Sequence, residues 1–283
     1  LVRHILVALG CNPDSDMALT YADRLANRIG ASVVALHIAQ EELVPASCEI
    51  VKRYIEIEAE KTRERIGKKI AELRQKDDVW DRVIFQMTRG DNPARELLQE
   101  MEKGTHDLLI IGHRELPNIK KLFLGSVSSQ VVEHAKISVL VVKHLLGPSK
   151  ILFCTDGSIY AEKAIRFGGE MIARIGCPSV VLNVSPWLDD HCKRVAQSIA
   201  KRGTQILSDL GIEVKAKFRL GKDVVGEISK EIKEENLDLV VVGSRGISGI
   251  TRLLLGSTTL KLINQIRCPI LIYKQPVRED VTT

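Results

Sequence analysis

The sequence predicts an α/β protein: two similar doubly wound domains, each a five-stranded parallel sheet flanked by helices. Three observations carry that expectation. Short Val/Ile/Leu-rich runs alternate with helical patterns, the whole order occurs twice, and a Gly-Pro-Ser break separates the two occurrences. Strands of a parallel sheet are covered on both faces, so they read as near-continuous apolar runs.

Taken in order, the first half contributes VRHILVAL, ASVVALHI, RVIFQM, DLLIIG and SVLVVK as strands, with helical spacing over Asp16 to Ile29 and Pro93 to Met101. The second half repeats the series with KILFCT, SVVLNV, EVKAKF, DLVVVG and PILIY. Right-handed crossovers leave few topologies for such a series. Ligands of these sheets sit beyond the carboxyl ends of the strands where the winding reverses, and Asp156 and Gly243 fall on that rim.

The duplication is legible residue by residue. His4 to Ile38 aligns with Lys150 to Val184 without a gap, and Asp107 to Lys143 aligns with Asp238 to Lys274. Two units of about 140 residues each suit two domains with their own cores, expected at 1–146 and 147–283. The linker falls at His144 to Ser149. All extra length of the first half lies between Ile38 and Gly90. Within it, Val51, Ile55, Ala59, Ile66, Ile70 and Leu73 have helical spacing, which predicts a long amphipathic helix some four turns longer than its counterpart. Such a helix covers the sheet with a solvated outer face; the alternative is a partner-docking helix. The last strands, Ser138 to Val142 and Pro269 to Tyr273, are apolar edges expected to pack against each other with pseudo-twofold symmetry.

Composition indicates a cytoplasmic protein. No apolar run reaches the roughly 18 residues of a membrane span, and no basic-then-apolar leader stands at Leu1. The six cysteines (Cys11, Cys48, Cys154, Cys177, Cys192, Cys268) show no C-x-x-C pair, which points to reduced thiols. The seven histidines do not cluster at zinc-ligand spacing. A formal charge of +5, with lysines and arginines interleaved among acids, does not indicate a nucleic-acid groove.

The chemistry concentrates in one loop of the second half. Gly243 ends an apolar strand, Gly246 follows at G-x-x-G spacing, and nine residues later comes Gly256-Ser257-Thr258 before a helical pattern. Glycines there let backbone amides approach an anion without an intervening Cβ, and free amides at the helix start would face the same anion. A lone G-x-x-G marks a turn more often than a ligand; the added Gly-Ser and the duplicate frame make it informative. No G-K-[ST] follows any of these glycines, so no Walker loop is present. Ser158 beside Asp156, and His191 beside Cys192, lack the context of a nucleophile elbow and are read as chance proximity.

Over nearly its whole length the second half resembles the nucleotide-binding branch of the universal stress proteins, through KILFCTDGS, the strand ending in NV, the glycine pattern and CPILIYK. The whole chain resembles the tandem form of that family. The resemblance implies that Asp156, with Thr155 beside it, meets adenine, and that the backbone near Val184 and Val242 walls the base. It implies further that Gly243 lies at the ribose, and that Gly246, Gly256, Ser257 and Thr258, flanked by Arg245, hold the phosphates. The implied ligand is ATP, or ADP or AMP, with Mg2+ arriving on the nucleotide and few protein ligands for it. The implied function is that of a stress-response regulator, homodimeric, whose bound nucleotide modulates contact with a regulatory protein partner. Slow ATP hydrolysis is compatible with it. The alternative is a nucleotide hydrolase or adenylyl-transferring enzyme, for which the loop offers Ser244, Arg245, Ser248 and Arg252 but no acid or histidine.

The first half departs from the pattern twice. Gly10 stands where the second half has Asp156, and Glu115 where it has Gly246. The base acid is lost, and a poorly solvated carboxylate would repel a polyphosphate by several kcal/mol. The first half is therefore expected not to bind ATP as the second does, although Asp14 is a candidate substitute acid. Asn183 in turn replaces a histidine common at that strand end, which the first half keeps as His37.

Overall fold

The computed structural model describes residues 1–10, 14–40, 49–74, 83–113, 124–145, 147–246 and 255–275. The first half runs β1 (His4–Leu9), α1 (Asp14–Ile29), β2 (Ser32–Gln40), α2 (Glu49–Arg74), β3 (Val83–Gly90), α3 (Pro93–Glu102), β4 (Leu108–Gly112), α4 (Ser126–His134) and β5 (Ser138–Val142). The second repeats it as β6 (Ile151–Cys154), α5 (Ile159–Ile172), β7 (Ser179–Ser185), α6 (Asp190–Ser208), β8 (Val214–Leu220), α7 (Val224–Glu235), β9 (Leu239–Gly243), α8 (Ser257–Gln265) and β10 (Ile270–Tyr273).

Within each half the strands are parallel, and the ten join into one sheet of order β3-β2-β1-β4-β5-β10-β9-β6-β7-β8. The halves meet through their last strands, as their apolar composition predicts. β5 and β10 pair antiparallel, with Val141 opposite Ile270, Leu140 opposite Leu271 and Val139 opposite Ile272. This central pairing turns two exposed sheet edges into interior strands.

The pleat sends alternate side chains to two cores. One contains Ile5, Leu140 and Leu271 with Leu25 of α1, Ile66 of α2, Ile165 of α5 and Leu207 of α6. The other contains Leu6, Val139 and Ile270 with Leu97 of α3, Val131 of α4, Ile228 of α7 and Leu262 of α8. Each core runs through both halves. The repeated aspartates are structural: Asp107 Oδ2 accepts from the backbone N–H groups of Arg3 and His4 at 2.8 and 2.9 Å. Asp238 does the same through Oδ1 for Ser149 and Lys150, at 3.0 and 3.1 Å.

Among the described residues α2 has 26 residues and α6 has 19, so seven residues, about two turns, of the first half's extra length are helical there. The remaining insertion falls in segments flanking α2, outside the described residues. Ile66, Ile70 and Leu73 are buried, so the C-terminal half of α2 covers the sheet.

Lys143 and Lys274, one residue past β5 and β10, are buried polar groups of this interface. Burial holds both ammonium groups down to about 8. Between that value and the ordinary 10.5 the unfolded chain binds more protons than the folded one, so stability rises with pH through the window. The buried thiols oppose it: Cys268 is pushed up to about 12 and Cys154 higher still, so above the ordinary thiol value of 9.0 only the unfolded chain ionises them. Urea midpoints are therefore expected to rise from about pH 7.5 to about pH 9 and then level or fall. A steady decline over the first interval would contradict the buried ammonium groups.

Candidate functional site

In the second half the winding reverses between β6 and β9, and a cavity of about 780 Å³ opens beyond their carboxyl ends. All ten candidate residues line it: Thr155 and Asp156 after β6, Val184 on β7, Val242 and Gly243 on β9, Arg245 and Gly246 beyond it, and Gly256, Ser257 and Thr258 at the start of α8.

Local chemistry explains how each is held. Thr155 Oγ1 accepts from Gly157 N–H at 3.1 Å and Asp156 Oδ1 from Ser158 N–H at 3.0 Å, which turns the chain sharply into α5. Gly157 sits at φ +82, with Ile199 of α6 only 3.1 Å from where a Cβ would be. Ser158 caps α5 by accepting from Ala161 N–H, which is the work of its hydroxyl. Asn183 Nδ2 donates to Thr155 O at 2.7 Å, and His37 Nδ1 lies 2.9 Å from Leu9 O, so the asparagine preserves the tie that the histidine makes in the first half.

Helix α8 begins differently from its neighbours. Asp189 and Asp223 cap α6 and α7 with carboxylate oxygens, whereas α8 begins at Gly256 with no side-chain cap. Gly256 N–H donates to Ser244 O at 2.9 Å, and Thr259 Oγ1 to Gly243 O at 3.0 Å. Ser257 and Thr258 are exposed, leaving an uncapped helix start at the cavity. Such a start favours an anion.

The three glycines differ in why they are glycines. At Gly243 a Cβ would lie 3.1–3.2 Å from backbone atoms of Arg245 and Tyr160. At Gly256 the nearest atom is 3.6 Å away, ordinary contact. Gly243→Ala is therefore expected to cost about 1–3 kcal/mol of folding stability and Gly256→Ala less than about 0.5 kcal/mol, read by urea denaturation. Equal losses would show that Gly256 is kept for the fold rather than for close approach of a ligand. Gly246 is a third case: a Cβ there would lie 2.5 Å from Asp156 Oδ2. The carboxylate after β6 and the glycine after β9 thus occupy complementary volumes.

Charge in the cavity is sparse. Asp156 is the carboxylate among the described lining residues and Arg245 the arginine, the latter's guanidinium 5.3 Å from the Tyr160 ring centroid. Ser248 and Arg252 lie outside the described residues. The wall that sequence reasoning missed comes from the β7 side: Trp187, Val195 and Ile199, with Val224 and Ile228 of α7. Val195 and Ile199 have i,i+4 spacing, a signal that reads equally as core. Trp187 is 67% exposed at the rim. Cys192 lines the cavity too, but its hydrogen bond with Asp189 raises its thiol pKa, so it is no activated nucleophile.

The first half has a corresponding but smaller cavity of about 420 Å³, lined by Gly10, His37, Gly112, Gly125, Ser126 and Ser128 among others. α4 likewise starts at an uncapped glycine, Gly125. Glu115 lies outside the described residues, as do Cys11 and Cys48, and nothing is described of the Asp14 side chain. The two departures nevertheless have one physical reading. Asp156 and Gly246 share a contact, and the first half carries the swapped pair, Gly10 and Glu115, at those two positions.

The described cysteines, Cys154, Cys177, Cys192 and Cys268, are free thiols. Among the described residues no group of His, Cys, Asp or Glu is placed to hold a metal, and no helix is long and apolar enough to cross a membrane.

Comparison with known proteins agrees with this architecture. The profile of the universal stress protein family matches residues 2–143 and again 148–274. Universal stress protein Slr1230 of Synechocystis sp. is 24% identical over 96% of this chain and 100% of its own length. Universal stress protein MJ0531 of Methanocaldococcus jannaschii is 28% identical over 46% of this chain and 84% of its own. Among solved structures, a universal stress protein from Archaeoglobus fulgidus superposes with a TM-score of 0.74 at 24% identity, covering 96% of this chain and 98% of that one.

Proposed function

The chain belongs to the universal stress protein family, with two of its domains in tandem, and from that premise we propose that it binds one adenine nucleotide, ATP, in the cavity of the second half. One observation carries the reading. Ten residues chosen from the sequence surround a single cavity at the switch point of the sheet, with an uncapped helix start at one side and an apolar wall at the other. A ligand with a polyanionic end and a flat, largely apolar end matches that polarity. The phosphates would meet the amides of Gly246, Ser257 and Thr258, with Gly256 leaving room for their close approach, and the base would lie over β6 and β7 between Asp156, Val184 and Val242. Mg2+ would enter on the phosphates.

In this reading the nucleotide bridges the loop after β9 and the start of α8, and so alters the surface seen by a regulatory protein partner. The protein would act in the cytoplasm, two chains associating as a homodimer. The first half serves as a structural or regulatory companion rather than a second ATP site. Mass spectrometry of small molecules released from denatured, freshly purified protein tests the ligand. ATP, ADP or AMP at up to one per chain is expected. A different metabolite at that occupancy would replace the reading.

A further inference from the structure

Each half ends its last strand one residue before a lysine, and the antiparallel pairing of β5 with β10 sends each lysine across to the other half. Lys143 Nζ donates to Ile263 O at 2.5 Å and to Ile266 O at 2.6 Å, at the C-terminal end of α8. Lys274 Nζ donates to Glu133 O at 2.8 Å, near the corresponding end of α4. The last carbonyls of a helix have no intrahelical partner and carry its negative end, so a buried ammonium both satisfies them and fixes the helix along its axis. Burying an ammonium is costly, and here the helix-end carbonyls offset that cost.

The far end of α8 is the ligand side. This nine-residue helix spans only about 13 Å, which makes it a short stiff rod. Its N-terminus is tied to the second half's own β9 and following loop through Gly243 O and Ser244 O, whereas its C-terminus is tied to the first half through Lys143. We infer that Lys143 is a positioning residue for the second half's ligand site. From the half that lacks the base-side acid, it anchors α8 and so sets where Ser257 and Thr258 present their amides. This inference rests on the reading of that cavity as a nucleotide site.

The test uses the full chain, with ATP titration calorimetry and hydrogen exchange side by side. Lys143→Met keeps the reach of the side chain but donates nothing. It is expected to weaken ATP binding at least about fivefold and to speed exchange of the hydrogen-bonded α8 amides, Leu260 to Ile266, by a similar factor. Lys143→Arg, which keeps a donor, should bind ATP at least about threefold tighter than Lys143→Met. Leu140→Ala is the structural control: it opens space on the opposite face of the same interface, and should lower the melting temperature while leaving ATP affinity within about twofold. Wild-type affinity in Lys143→Met, or an equal loss in Leu140→Ala, overturns the inference. If the wild type binds no ATP, the nucleotide reading fails separately and exchange alone decides. Unchanged exchange at Leu260 to Ile266 in Lys143→Met then refutes the anchoring, and faster exchange sustains it. If Lys143→Met does not fold, linkage supplies the measurement in the wild type: ATP must slow exchange at Val141 to Lys143, and no slowing refutes the coupling.

Discussion

Leu271→Lys is expected to lose more than about 4 kcal/mol of folding stability and to loosen the pairing of the two halves. Leu271 has no solvent exposure and stands opposite Leu140 at the centre of the ten-stranded sheet. A lysine there has no route to water, so the substitution adds a buried, unpaired ammonium to the lost apolar contact. At this chain length the shift in melting temperature should be on the order of 10 °C. Leu271→Ala, which loses only the apolar contact, should cost about 2–5 kcal/mol and leave the halves paired. Thermal unfolding and hydrodynamic size read both. Unchanged values in Leu271→Lys would mean that β5 and β10 do not hold the halves together.

Gly246→Glu and Asp156→Gly should each weaken ATP binding at least tenfold, roughly 1.4 kcal/mol. The first places a carboxylate where backbone amides are proposed to meet phosphate; the second removes the proposed base contact. The contact between these positions separates binding from folding. A side chain at Gly246 collides with Asp156, so Gly246→Glu alone should also destabilise the fold. The double variant recreates the first half's pair, Gly and Glu; it relieves that clash but also loses the bond from Ser158 N–H to Asp156 Oδ1, so it should recover only part of that stability while binding remains lost. Glu115→Gly alone should restore little in the first half, because Gly10 still lacks the acid. Calorimetry should therefore give one ATP per wild-type chain. A stoichiometry of two, or full affinity in Gly246→Glu, would show that the site is wrongly assigned.

By itself the sequence determined the duplication, the strand and helix series, and the pairing of the last strands, because each depends on local periodicity or on matching two copies of one pattern. Gly243 and Gly256 were legible as one motif for the same reason. What distinguishes them was not: Gly243 is hemmed in by the backbone of Tyr160, distant in sequence, whereas Gly256 has room for a Cβ. The swap of Asp156 and Gly246 for Gly10 and Glu115 read as two separate losses. Only the structure decided that the second half's two residues share a contact, because they follow different strands, β6 and β9, which lie side by side in the sheet. The apolar wall of Trp187, Val195 and Ile199 was hidden because i,i+4 spacing looks alike whether a helix faces a core or a cavity. Lys143 was hidden for a related reason. A lysine ending a strand reads as solvated, and its burial against the end of α8 exists only because two sheets close into one.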